Sequence, residues 1–188
     1  MNSPNDRLLL IRLGVLVLLL SGLAPAGKAL AKSAAEIDIG VQETLRQFRS
    51  EVKGGGKFLS RADGVLVFPS ILKAGIGIGG EYGEGALLVG GKTVDYYSSA
   101  AASIGFQLGA QKKSVVIVFM TAAALNDFRK SDGWKAGVDG SVALIEWGVG
   151  EDINTVDIKD PVVGFVFSNK GLMYNLTLEG AKFTRLDK

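Results

Sequence analysis

The sequence has 188 residues, of which 47% are hydrophobic and 21% charged, with 26 glycines, no cysteine and no histidine. That is enough chain for one domain with a real core. The missing residue types remove disulfides, thiolate nucleophiles, Cys/His zinc sites and histidine general bases together. The net charge of +2 is carried by the first 31 residues, which hold Arg7, Arg12 and Lys28 against Asp6. Removing them takes three basic residues from 21 and one acidic residue from 19, leaving 18 of each, so the balance implies no nucleic-acid partner.

Residues 1–31 read as a signal peptide. Arg7 and Arg12 supply positive charge, and residues 8–20 are apolar apart from Arg12. This run is shorter than the ~20 residues a spanning helix needs. Pro25 and the small-residue stretch ending Ala29-Leu30-Ala31 then supply an A-x-A cleavage pattern. The expected cut follows Ala31 and leaves an exported domain, 32–188, that is periplasmic, peripherally membrane-associated or secreted.

Ser33 followed by Glu36 is a capping-box signature, and it opens a helix predicted over 33–53. Ile37, Val41, Leu45, Phe48 and Val52 fall on one stripe, facing either a core or a bilayer. Gly54-Gly55-Gly56 ends this helix, and a short second one is expected near 57–62. From Gly64 the pattern changes to short strands: 65–68 closed by Pro69, a Gly/Ile stretch at 74–80, then 86–89, 93–98, 101–108 and 114–120. The Gly/Ile stretch would let another backbone approach closely. Residues 82–85 and Gln111-Lys112-Lys113 read as turns, and Gly90-Gly91-Lys92 as a hairpin turn. Thr121 caps a helix over 122–130, with Leu125 and Phe128 inward. Strands at 138–147, 162–167, 172–178 and 183–186 follow, with a loop at 148–160 and a hairpin at 168–171. The helices do not alternate with every strand, so a doubly wound parallel sheet does not fit. The predicted fold is α+β and β-dominated. It is a curved antiparallel sheet or partly closed β-barrel of about eight strands, with an N-terminal amphipathic helix and one further helix.

Catalytic and metal readings find little support. The stretch 75–80, GIGIGG, is not followed by the helix N-terminus a phosphate loop requires. Glu81, Glu84 and Asp95 read as surface turn residues rather than an acid–base pair. Asp139, Glu151, Asp152 and Asp157 lack calcium-loop spacing. Ser70 and Lys73 have bare Ser-x-x-Lys spacing without companion motifs. The sequence is expected to be no enzyme, with no cofactor and no metal.

The stronger feature is a basic row, Arg46, Arg49, Lys53, Lys57 and Arg61, at spacings of three, four, four and four. A basic amphipathic helix is a membrane-surface pattern, since Lys and Arg attract anionic headgroups while apolar residues enter the interface. The same residues could equally form the solvated face of a helix docked on the sheet, with Glu43 and Glu51 diluting the charge.

Five stretches, 62–70 (ADGVLVFPS), 73–85 (KAGIGIGGEYGEG), 128–134 (FRKSDGW), 137–140 (GVDG) and 164–173 (GFVFSNKGLM), resemble the SYLF-domain family in order and over nearly all of 33–188. The resemblance implies a non-catalytic domain that binds anionic phospholipid through basic and amphipathic N-terminal residues. It therefore favours Arg46, Arg49, Lys53, Lys57 and Arg61 as headgroup contacts. Lys112 and Lys113, read in a turn, and Arg129 and Lys130, at a helix end, are secondary headgroup contacts. The alternative expectation is a structural or protein-interaction module of the periplasm with an envelope protein as partner.

Overall fold

The computed structural model describes residues 31–144, 159–168, 171–172, 178 and 180–188, without the side chains of 76–78, 103–110, 167–168 and 171–172. The expected signal peptide, the loop from 148 to 158, and the strand portions at 145–147 and 173–177 lie outside these residues. The elements of the unit Lys32–Lys188 are helix α1 (Ala34–Glu51), helix α2 (Gly55–Ser60), strand β1 (Gly64–Val89), strand β2 (Lys92–Phe119), helix α3 (Ala122–Lys130), and strands β3 (Trp134–Lys135), β4 (Ala143–Leu144), β5 (Val162–Ser168), β6 (Gly171–Leu172) and β7 (Lys182–Leu186).

The described strands form one seven-stranded mixed sheet, curled into a half-barrel. This is the expected β-dominated α+β architecture, with two corrections. The six short strands read between 65 and 120 are two long ones, of 26 and 28 residues. The pairing is also not wholly antiparallel, because β4 runs parallel to β5 through Ala143↔Val163 and Leu144↔Gly164. Strands β1 and β2 pair from Gly64↔Phe119 to Val89↔Lys92. Their hairpin turn is Gly90-Gly91, with φ of 58° and 78°, the left-handed pair that a tight hairpin demands. Along its other side β2 pairs β7 through Tyr96–Ala100 and β5 through Ser114–Phe119.

Neither 82–85 nor 111–113 is a turn, and Pro69 does not end its strand. Register shifts absorb the irregularities instead: one falls between Phe68 and Ile71, around Pro69, and another between Gly75 and Gly77. Near the second of these shifts β1 doubles back, so that its second half comes against its first. A Cβ at Gly79 would stand 2.5 Å from the Ala74 carbonyl oxygen, and one at Gly83 would stand 2.5 Å from that of Ser70. The glycine-rich strand does admit another backbone, and that backbone is its own.

Where β1, β2 and β5 meet, at Val65–Phe68, Val115–Phe119 and Val162–Val166, both faces of the sheet are covered, which is why these segments carry no polar side chain. Val65, Val67, Val116, Val118, Val163 and Phe165 pack on one side with Ile37, Val41, Leu45, Phe48, Val52 and Phe58 of the first two helices and their junction. Leu66, Phe68, Val115, Ile117 and Phe119 face the other side, with Leu125 and Phe128 of α3, Trp134 and Phe183. Phe128 centres that second layer, its ring centroid 4.9 Å from those of both Tyr97 and Phe119.

The expected caps are present. Ser33 Oγ accepts from the Glu36 amide at 3.3 Å, and the Ser33 amide donates to Glu36 Oε2 at 2.8 Å. Thr121 Oγ1 accepts from the Ala124 amide at 3.2 Å and starts α3. The strand expected over 138–147 narrows to Ala143–Leu144 among the described residues. Gly137 has φ 85°, and the Asp139 carboxylate accepts from the Lys135 amide, so 135–139 is a turn.

Candidate functional site

The apolar stripe of α1 faces the sheet. Val41, Phe48 and Val52 are fully buried, and Ile37 and Leu45 nearly so. The stripe is core, and it is not open to acyl chains. Outward α1 presents Arg46 and Arg49 together with Gln42, Glu43, Ser50 and Ile39, which is 68% exposed. Arg46 lies about 160° around the helix from Phe48, and Arg49 about 100° from it on the flank.

The basic row does not ride on one helix. Val52 leaves α1 in an extended conformation and Gly54 adopts φ 81°, so the chain turns before α2 begins. Val52 and Phe58 anchor both sides of this turn in the core, Phe58 edge-on to Phe165 at 5.9 Å. With the backbone so fixed, Lys53 and Lys57 project to solvent. Arg46, Arg49, Lys53, Lys57 and Arg61 are all exposed, and among the described residues none is paired with a carboxylate. Between 46 and 61 there are five basic residues and one acidic residue, Glu51, a local net charge of +4. Glu51 accepts from Gln47 Nε2 at 2.9 Å rather than from a cation.

Beside this segment lies a cleft of about 360 Å³ between α1, α2 and the Gly90-Gly91 turn. Its lining includes Leu45, Leu59, Ala62, Val65 and Leu88, with Arg49 as its charged member. An apolar recess with one unpaired guanidinium at its edge can hold a hydrocarbon group next to an anion.

The secondary basic residues divide. Lys112 and Lys113 sit mid-strand in β2, opposite Leu72 and Ile71. Lys113 is buried, and its ammonium lies 2.6 Å from Glu81 Oε2. The doubling back of β1 brings Glu81 there, and Lys73 approaches its other oxygen at 3.7 Å. Arg129 lies 3.2 Å from Asp95 Oδ2, and Arg185 binds the other oxygen. Lys112 and Lys130 remain exposed. Lys113 and Arg129 are thus engaged by carboxylates before any ligand arrives.

Glu81, Glu84 and Asp95 are not surface turn residues. Their side chains are 15%, 6% and 10% exposed, and each is ion-paired. Glu84 is the most enclosed: it accepts from Tyr82 OH, the Lys188 ammonium and the Lys32 amide, each at 3.0 Å. Burial pushes its carboxyl up, but the donors from Lys188, Tyr82 and Lys32 outweigh that and hold it below the usual range. The Tyr82 phenol is pushed up by burial and by the same carboxylate. Sequence reasoning missed this cluster because Glu84 and Lys188 are 104 residues apart. Among the described residues no three Asp or Glu side chains gather as a metal site. The Ser114 hydroxyl donates to the Pro69 carbonyl, a structural contact. Glu151, Asp152 and Asp157 lie outside the described residues.

Residues 100–188 match the family model described as Ysc84, Las17-binding protein actin regulator. The SYLF resemblance stands over that part of the chain. It takes in most of β2, α3 and the later strands, and with them the stretches 128–134, 137–140 and 164–173. The stretches 62–70 and 73–85, and the basic row itself, lie ahead of the SYLF match. The family is one of binding domains and is not a known enzyme family. No curated protein matches the chain. Among the described residues no helix is long and apolar enough to cross a membrane.

Proposed function

We propose that this is an exported, non-catalytic domain that attaches peripherally to anionic phospholipid membranes through Arg46, Arg49, Lys53, Lys57 and Arg61. The observation that carries this reading is the state of those five side chains: all exposed, none paired among the described residues, within one segment of net charge +4. Each cation near an acidic membrane surface contributes about 1 kcal/mol. Because the stripe of α1 is committed to the core, attachment is mainly electrostatic. The 360 Å³ cleft beside Arg49 is the place where a short length of acyl chain would fit. Lys112 and Lys130 would add headgroup contacts, whereas Lys113 and Arg129 are held by Glu81 and Asp95.

The test is flotation of the exported protein with vesicles. Binding to phosphatidylglycerol or cardiolipin, weak binding to phosphatidylcholine and loss of binding at high salt are expected. Equal binding to neutral and anionic vesicles would overturn the reading. The family description names a protein partner, which favours a second reading, a protein-interaction module of the periplasm. A single stoichiometric envelope protein recovered in the absence of lipid would support it.

A further inference from the structure

Glu84 holds more than its own strand together. Its carboxylate is 6% exposed and sits in the second half of β1. One oxygen accepts from Tyr82 OH, and the other from both the Lys188 ammonium and the main-chain nitrogen of Lys32, all at 3.0 Å. Lys188 also donates to the Lys32 carbonyl, a contact spanning 156 residues. Lys32 immediately precedes Ser33, the N-cap of α1.

We propose that Glu84 is the receptor for a new N-terminus, created at Lys32 when the chain is cut after Ala31. In the cut, water adds across the amide bond. The hydroxyl oxygen goes to the Ala31 carboxylate, and the Lys32 nitrogen is released as an amine that takes up a proton. Free α-amines have a pKa of about 7.7–8, so the group is largely an ammonium at neutral pH. A single neutral N–H donor thereby becomes a cation with three donors, already within hydrogen-bond distance of a buried carboxylate. The bond is already charge-assisted through its carboxylate acceptor, and a charge on the donor turns it into an ion pair. The new ammonium would share the Glu84 oxygen with the Lys188 ammonium, and the Glu36 carboxylate, which hydrogen-bonds the adjacent Ser33 amide, helps to balance the added positive charge. The arrangement also selects the cut site: moving it one residue either way shifts the terminal nitrogen by about 3.5 Å, out of reach. Processing would then finish the tie between α1, β1 and Lys188, and the uncut chain would be the looser form. This inference rests on the export reading and is independent of lipid binding.

The experiment uses the full chain, exported from a bacterial host, beside a variant with Gly-Ser inserted between Ala31 and Lys32. The mass of each product fixes its N-terminus. The expected wild-type product begins at Lys32 and melts at least 2–4 °C above the inserted one, the shift expected for about 1 kcal/mol in a domain this size. With Glu84→Gln in both backgrounds the two melt alike. The native α-amine of the wild-type product should also react with an acylating reagent at neutral pH at least tenfold more slowly than that of the inserted product. This measurement needs no substitution at Glu84. A cut elsewhere overturns the proposal while leaving export intact, whereas no cut removes both. Equal melting and equal amine reactivity also overturn it.

Discussion

Phe48 of α1 stands edge-on to Phe165 of β5, with ring centroids 4.8 Å apart and planes at 80°. That contact fixes which side of the helix is core, and so which side is free to meet a partner. Replacing Phe48 with Ala should cost about 3–5 kcal/mol, the usual range for emptying a buried phenylalanine site. Replacing Arg46 with Gln, on the outer face, should change stability by less than about 0.5 kcal/mol. Denaturant unfolding of both variants checks this. Similar costs for the two would mean the helix is not docked by its apolar stripe.

Vesicle affinity should separate the two classes of basic residue. Arg49→Gln and Lys57→Gln should each weaken binding to phosphatidylglycerol vesicles about fivefold, equivalent to about 1 kcal/mol. Lys113→Gln should leave vesicle binding unchanged. It should instead lower stability by roughly 1–3 kcal/mol, because the mostly buried Glu81 loses its closest partner. Vesicle titration and thermal melts on the same three proteins give both readouts.

The doubled-back strand makes Gly83 intolerant of any side chain. A Cβ there would stand 2.5 Å from the Ser70 carbonyl oxygen and 2.8 Å from Ile71 Cγ1. Gly83→Ala must push backbone against backbone and should cost about 1–3 kcal/mol. Gly56→Ala, in α2 with nothing within 4 Å of the new carbon, should be neutral or stabilise by about 0.4–1 kcal/mol. Equal effects at the two sites would mean the halves of β1 do not touch.

Glu84 also predicts a pH dependence. Its folded-state pKa is lowered, so its contribution to stability is present above the unfolded value and is lost as pH falls through the folded one. Wild type should exceed Glu84→Gln by a constant margin between about pH 6 and 7, and the margin should shrink as pH drops below about 4.3, the ordinary glutamate value. Urea unfolding at a series of pH values measures the difference. A margin that grows in acid would contradict the assigned ion pairing.

The local features of this fold were legible in the sequence. Ser33 and Glu36 announced the start of α1, the spacing from Ile37 to Val52 identified its buried side, and Gly90-Gly91 marked the hairpin. The basic row was equally visible, because its members are neighbours in the chain. Features that depend on distant partners were not visible. Pro69 looked like a strand end because nothing local shows that a register shift carries the strand past it, and residues 82–85 looked like a turn although they pair without a break from Tyr82↔Ala100 to Gly85↔Tyr97. Lys113 looked free because Glu81 reaches it only after β1 folds onto itself. Glu84 looked like a turn residue because the groups that enclose it are Tyr82, Lys32 and Lys188, the last supplied from the far end of the sequence.

The placement of β2 has a consequence for how the molecule assembles. Its first neighbour, β1, comes just before it, but β5 and β7 come from residues after 161, and Asp95 meets Arg185 across 90 residues. During synthesis the run Val115–Phe119 must wait with one edge unsatisfied until nearly the whole chain has emerged. Closing such long loops is slow, and an uncovered apolar edge invites mispairing with other chains. The interval before the last strands dock is therefore the stage at which aggregation competes most strongly with folding.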